Sequence, residues 1–453
     1  SPSPSSEPAA HDPLADEARA AIPDDVPRTG VVHEVTLEAK PVEIPLLEGR
    51  PLAVWAYNGQ VPGPTLRVRV GDTLRVTLEN RLPQPTTIHW HGVRVPNAMD
   101  GVAGLTQDPV RPGGTFTYEF VAHDAGTFWY HPHHRSFEQV GRGLYAPLIV
   151  EEREPILVDR DLTWVLDDWR IDSSGQLSGT FGNMMDSMMA GQVGNMITVN
   201  GRPLEPMKVR TGERIRLRLI NAANARIFGL NFGGERPKII AMDGQPVRPH
   251  EPRGPVLVGP GMRVDLVLDM MAAPGSRATI TDDFYKGLEY RLAEIVYSAS
   301  PLRNEPLTTP VQLPPNPLRE PDLRDAARHE ILFGGGMMGA VPNQAEHRGM
   351  FWTVNGKPLG EHHHAPLLTF AKGSSQVLEL VNETAWHHPM HLHGHVFRVL
   401  SGRQKGTWGD TVLVDPRERV EIAFVADNPG DWMLHCHVLE HQATGMMATV
   451  RVA

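Results

Sequence analysis

Tyr57-Asn58-Gly59-Gln60-Val61-Pro62-Gly63-Pro64-Thr65-Leu66-Arg67-Val68-Arg69-Val70-Gly71-Asp72-Thr73-Leu74-Arg75-Val76-Thr77-Leu78-Glu79-Asn80 carries the pattern that decides the fold. An Asn-Gly turn precedes two runs in which apolar and polar residues alternate with period two, as in strands with one wet face. The same order recurs twice. Val199-Asn200-Gly201-Arg202-Pro203-Leu204 leads to an alternating run from Met207 to Asn221, and Val354-Asn355-Gly356-Lys357-Pro358-Leu359 leads to one ending at Asn382. Three copies spread along 453 residues predict three β-sandwich or barrel domains in series, each of roughly 150 residues.

The first and third repeats also agree further on. Gly126-Thr127-Phe128-Trp129-Tyr130-His131-Pro132-His133 aligns with Gly430-Asp431-Trp432-Met433-Leu434-His435-Cys436-His437, so Pro132 stands where the third repeat has Cys436. The middle repeat has no His-x-His pair. Any chemistry built from these pairs therefore needs the first and third domains to face each other, with the second as spacer.

Composition narrows the class. With 41 Pro and 43 Gly, short strands joined by turns are expected rather than long helices. A formal charge of -10 argues against a nucleic-acid binder. Apolar content of 40% supports packed cores, and no apolar run of membrane-spanning length is present. A single Cys forms no internal disulfide. Residues 1–30, rich in Pro, Ser, Ala and acid, read as a flexible tail with a short helix conceivable over Leu14 to Ala21. Domains are expected over 31–153, 154–299 and 329–453, with a Pro-rich linker over 300–328.

The one cysteine stands in His435-Cys436-His437-Val438-Leu439-Glu440-His441-Gln442-Ala443-Thr444-Gly445-Met446. Taken singly, a lone Cys is a small buried hydrophobe and a lone Met a core filler. Together with His441 and Met446, however, Cys436 supplies thiolate, imidazole and weak axial thioether, the donors of a blue copper site. His388, in His387-His388-Pro389-Met390-His391-Leu392-His393-Gly394-His395, completes the set with a second imidazole. Because side chains alternate along a strand, His435 and His437 face away from Cys436 toward other metals. Further pairs stand at His89-Trp90-His91 and His131-Pro132-His133, so four His-x-His pairs supply eight imidazoles.

These four motifs, His-Trp-His-Gly, Trp-Tyr-His-x-His, His-Pro-x-His-Leu-His-Gly and His-Cys-His-x3-His-x4-Met, resemble in identity and order those of three-domain multicopper oxidases of the laccase family. The resemblance covers the chain from about residue 31 to its end. It implies an all-β architecture of three consecutive cupredoxin-like Greek-key β-sandwich domains, the middle one without copper ligands. It implies four copper ions: type 1 on His388, Cys436, His441 and Met446, type 2 on His89 and His391, and a type-3 pair on His91, His131, His133, His393, His435 and His437. Cys436, His435 and His437 would carry electrons from the first site to the others, and Asp100, eleven residues after His89, would relay protons. Read alone, Asp100 is a turn residue. Many bacterial relatives have an acid directly after the position of His441, where this chain has Gln442; Glu440 points the wrong way on a strand, though a helical turn would change that.

The activity implied is one-electron oxidation of phenols or aromatic amines coupled to four-electron reduction of dioxygen to water, by a periplasmic or secreted monomer acting on a small-molecule reductant, with no nucleic-acid or membrane partner. The alternative is oxidation of Cu(I) in copper tolerance. Met184, Met185, Met188 and Met189, then Met196, Met337 and Met338, bear on that choice. Soft thioethers suit Cu(I), but flexible Met equally lines apolar pockets, and the helical spacing of Met184 to Met189 fits a short helix covering one. A copper-free scaffold would have lost ligands, and none is missing here. His134, His387, His395 and the run His362-His363-His364 are left as surface or supporting residues.

Overall fold

In the computed structural model, which describes residues 26–47, 50–339, 341, 348–360 and 365–453, the three repeats become three two-sheet sandwiches. The run Leu14 to Ala21 and the triplet His362-His363-His364 lie outside the described residues. The turn-and-strand signal acts identically in each copy. Asn58 and Gly59, Asn200 and Gly201, and Asn355 and Gly356 all adopt positive φ, between 50° and 76°, which is what a type I′ turn requires and why Asn-Gly occupies it. Each turn Asn also receives a backbone N–H from the domain's opening strand: Glu38 to Asn58, Val165 to Asn200 and Leu332 to Asn355. That strand in turn pairs in parallel with the alternating run, Val32–Leu47 with Thr73–Asn80, Arg160–Trp169 with Glu213–Asn221, and Ala327–Gly335 with Ser375–Asn382.

Burial follows the period. In Thr73–Asn80, Leu74, Val76, Leu78 and Asn80 point inward and the intervening residues do not. Each sandwich closes on its own apolar core, around Leu78, Trp90 and Tyr130 in the first, Leu217, Phe228 and Leu266 in the second, and Leu380, Phe397 and Trp432 in the third. The Asn that ends each run turns its amide inward to hold the next loop. Asn382 donates to the carbonyls of Trp386 and Asp415 and accepts from Thr384, as Asn80 and Asn221 do in their copies.

Buried charge joins the domains. Arg216 on the middle domain reaches Glu152 and Asp265, while Arg218 reaches Asp161 and the hydroxyl of Thr127. Between 300 and 326 there is no regular strand. That stretch lies against the middle domain: Arg214 donates to the carbonyls of Leu307 and Thr309, and Val311 and Leu313 pack on Ile240 and Val267. The strand Ala327–Gly335 begins inside the segment expected as linker.

Candidate metal centres

Two strand pairs place the histidines. In the first domain His89–His91 pairs antiparallel with Gly126–His131, setting His89 opposite His131. In the third, His388–Leu392 pairs with Gly430–Cys436, setting His391 opposite His435 and Met390 opposite Cys436. Since neighbouring strands share side-chain direction at each register position, each pairing collects imidazoles on one face. The two faces meet. His89 Nε2 lies 3.4 Å from His391 Nε2, and His133 Nε2 lies 3.4 Å from His435 Nε2, which is 3.0 Å from His393 Nε2. His91 and His131 approach His437, with ring centroids 4.8 and 5.3 Å apart. All eight predicted histidines are thus within one buried cluster.

Most of these rings are held neutral. Burial, reinforced by the other imidazoles, keeps His131, His133, His393, His435 and His437 well below the usual histidine range; His91 is likewise lowered, with Arg263 adding to the effect. Neutral imidazole is the form that binds metal. Outer contacts then fix which nitrogen is presented. His89 Nδ1 and His391 Nδ1 each lie 2.8 Å from a backbone carbonyl, of Asp100 and Asp410, while His131 Nδ1 faces that of Pro132 and His435 Nδ1 that of Cys436, both at 2.9 Å. His393 Nδ1 is 2.8 Å from the carboxylate of Asp100. Four buried ring nitrogens have no hydrogen-bond partner among the described residues: Nδ1 of His91, Nε2 of His131 and both nitrogens of His437. Buried nitrogens without partners are costly, and convergent ones satisfy their lone pairs on metal ions. The donor set fits copper.

The second centre lies across the strand from the first. Cys436 Sγ is 3.4 Å from His388 Nδ1 and 3.7 Å from His441 Nδ1, and these two nitrogens are 3.2 Å apart. Each far nitrogen is tied down, His388 Nε2 by the Thr384 hydroxyl and His441 Nε2 by the Met189 carbonyl, both at 2.7 Å. Burial pushes the Cys436 thiol up, so a bound cation is needed to hold the thiolate. Met446 is fully buried beside it in the chain fold, its carbonyl accepting from the Cys436 N–H.

Several predicted details change. Glu440 is on a helix, Leu439–Ala443, rather than a strand. It is fully buried, accepts a hydrogen bond from Asn224, and burial pushes its carboxyl up to about 7. Gln442 on that helix is buried as well. Of the histidines left as surface or supporting residues, His395 is buried and packs against Phe424 and Trp432. His387 is partly exposed beside Asp415. The methionines do form a helix, Met184–Met188, whose next residue, Met189, touches His441.

The sequence reading missed Asp410, Thr384 and Arg263. Asp410 Oδ1 is 3.0 Å from His91 Nε2, and Arg263, completely buried, clamps Asp410 with two N–H groups at 2.6 and 2.9 Å. Arg263 stands at a polar position of the alternating strand Arg263–Met270, opposite the core face of Val264, Leu266 and Leu268, so nothing local in the sequence marks it as buried.

Family models described as multicopper oxidase match residues 38–155, 160–283 and 338–453. The chain is 32% identical to multicopper oxidase MmcO of Mycobacterium tuberculosis, over 93% of this chain and 87% of that protein. It is 30% identical to laccase-1 of Botryotinia fuckeliana, over 93% and 81%. Among solved structures it resembles a multi-copper oxidase of Pseudomonas thermotolerans (TM-score 0.85, 38% identity, covering 93% of this chain and 100% of that one). It also resembles a Campylobacter jejuni multicopper oxidase described as a metallo-oxidase (TM-score 0.78, 26% identity, 95% and 93% covered). With its histidine cluster and thiolate site in place and three consecutive family models matched, the chain belongs to the multicopper oxidases.

Proposed function

We propose that the chain is a laccase-like oxidase that takes electrons one at a time from phenols or aromatic amines and delivers them to dioxygen, working in the periplasm or outside the cell. Four copper ions are assigned: one to His388, Cys436, His441 and Met446, one to His89 and His391, and two to His91, His131, His133, His393, His435 and His437. Copper at these positions supplies one-electron acceptance at the thiolate site and reduction of dioxygen to water at the imidazole site. The protein's own work is positional. Cys436 is joined by peptide bonds to His435 and His437, so the two centres are connected through a few covalent bonds. Asp100, fully buried and touching both His89 and His393, holds those rings and is the group placed to pass protons to the cluster.

The observation that carries the choice of reductant is the surroundings of His441. Its outer nitrogen meets the Met189 carbonyl, and next to that segment lies a cavity of about 320 Å³ lined by Met184, Met188, Met337, Met350 and Phe351. No charged side chain is among its described lining residues, which suits a neutral aromatic ring resting on thioethers. The four thioethers also favour a second reading, Cu(I) as reductant. Oxygen uptake by the copper-loaded protein with a methoxyphenol and with Cu(I), before and after Met184, Met188 and Met337 are replaced by Leu, separates the two. Phenol turnover that survives the replacement supports the first reading; dominant Cu(I) turnover that collapses establishes the second.

A further inference from the structure

The Gly334-Gly335-Gly336-Met337-Met338-Gly339 segment divides two cavities. Met337 lines the one just described, and Met338 faces a second, of about 260 Å³, on the other side. Gly336 has φ of +82°, and a Cβ there would lie 2.6 to 2.7 Å from the indoles of both Trp386 and Trp352, so the segment runs tightly against this pair of rings.

The second cavity reaches the thiolate site by a different histidine. Thr384 is in its wall, and the Thr384 hydroxyl is 2.7 Å from His388 Nε2. Trp386, also in the wall and half-buried, meets Trp352 edge to face at 5.5 Å; Trp352 lies 5.2 Å from His388 and 4.1 Å from His441. At the mouth are Met338, Glu383 and Arg417. Arg417 is fixed in a left-handed conformation, φ 63°, by the turn it occupies, and one of its N–H groups donates to the Glu383 carbonyl. Its remaining donors are oriented by that anchor, in the forked geometry that suits a carboxylate.

We propose that this cavity is a second reductant site, which seats a single-ring phenol bearing a carboxylate, its ring on Trp386 and Met338 and its carboxylate on Arg417. Its volume suits one ring, the glycine wall allows a flat molecule to approach the backbone, and the polar rim distinguishes it from the uncharged cavity beside His441. Oxidation there breaks the phenolic O–H bond. The phenolic proton would leave to solvent water in the cavity, one electron would pass by Trp386 and Trp352, or by Thr384, to His388 and an oxidised copper held with Cys436, and the product would be a phenoxyl radical. The site rests on the reading of Cys436, His388 and His441 as the electron acceptor.

The test is calorimetric titration of the copper-loaded, fully reduced protein under argon, where binding proceeds without turnover, using 4-hydroxy-3-methoxybenzoate and the uncharged 2-methoxyphenol. Tryptophan fluorescence is followed in parallel. The benzoate should bind and quench. Arg417→Gln should lower the ratio of benzoate to methoxyphenol affinity about tenfold, the usual worth of a charge-assisted hydrogen-bond pair, and Trp386→Leu should weaken benzoate binding and remove the quenching. No benzoate binding, or binding that neither substitution changes, overturns the site whatever the oxygen electrode reads. Benzoate binding at Arg417 with no oxygen uptake from any phenol overturns instead the electron-acceptor reading.

Discussion

Cys436 is the one residue that stands between the two centres, beside His388 and His441 and joined in the chain to His435 and His437. Replacing it with Ser keeps the size but removes the thiolate, so Cys436→Ser should lose the blue colour and one copper per chain, with oxygen uptake falling to background. Metal analysis beside the visible spectrum checks this, and full copper content would refute the assignment. The Asp100 carboxylate lies against His89 and His393. Asp100→Asn keeps the shape and removes the charge; a fall in kcat of about a hundredfold is expected, with the blue band intact. Normal kcat in that variant would remove Asp100 from the proton route.

Among elements, the loops ending the repeated strands matter most. Asn382 organises the turn that carries Thr384 and His388 by hydrogen bonds at 2.7 to 2.9 Å to Trp386, Asp415 and Thr384. Asn382→Ala leaves those buried groups unpaired, and a loss of about 2–4 kcal/mol is expected, read by denaturant unfolding, together with a changed visible spectrum as His388 is freed. The strand Glu213–Asn221 adds a pH dependence. Glu152 is buried, which alone would raise its pKa, yet Arg216 holds it below the glutamate value of 4.5. A lowered folded-state pKa contributes stability above 4.5, which is lost as pH falls through and below that value. Glu152→Gln should therefore flatten the acid limb of the stability profile, measured as midpoint against pH; an unchanged limb would show that the pair does not contribute.

At the scale of the molecule, Arg263 of the domain without ligands joins all three: it donates to the Thr127 carbonyl in the first and to Asp410 in the third, beside its own Gly261 and Asp243 carbonyls. Burial and the nearby Asp410 carboxylate push Asp243 up, while at Asp410 burial is outweighed by Arg263 and His391, which hold it low. Removing the guanidinium leaves buried acid uncompensated, so Arg263→Ala should cost about 3–5 kcal/mol and deplete copper from the histidine cluster while the blue band persists. Loss of both centres together would instead indicate general unfolding. The contrast in legibility has a physical cause. Strand period, I′ turns and His-x-His spacing are local, fixed by backbone geometry within a few residues, so the three sandwiches and the ligand candidates were readable from sequence. The Arg263 to Asp410 contact spans 147 positions, the Met189 carbonyl on His441 spans 252, and Glu440 turned onto a helix against Asn224 of another domain. Only packing of the three domains against one another decides such pairings, because no local rule relates residues that far apart in the chain.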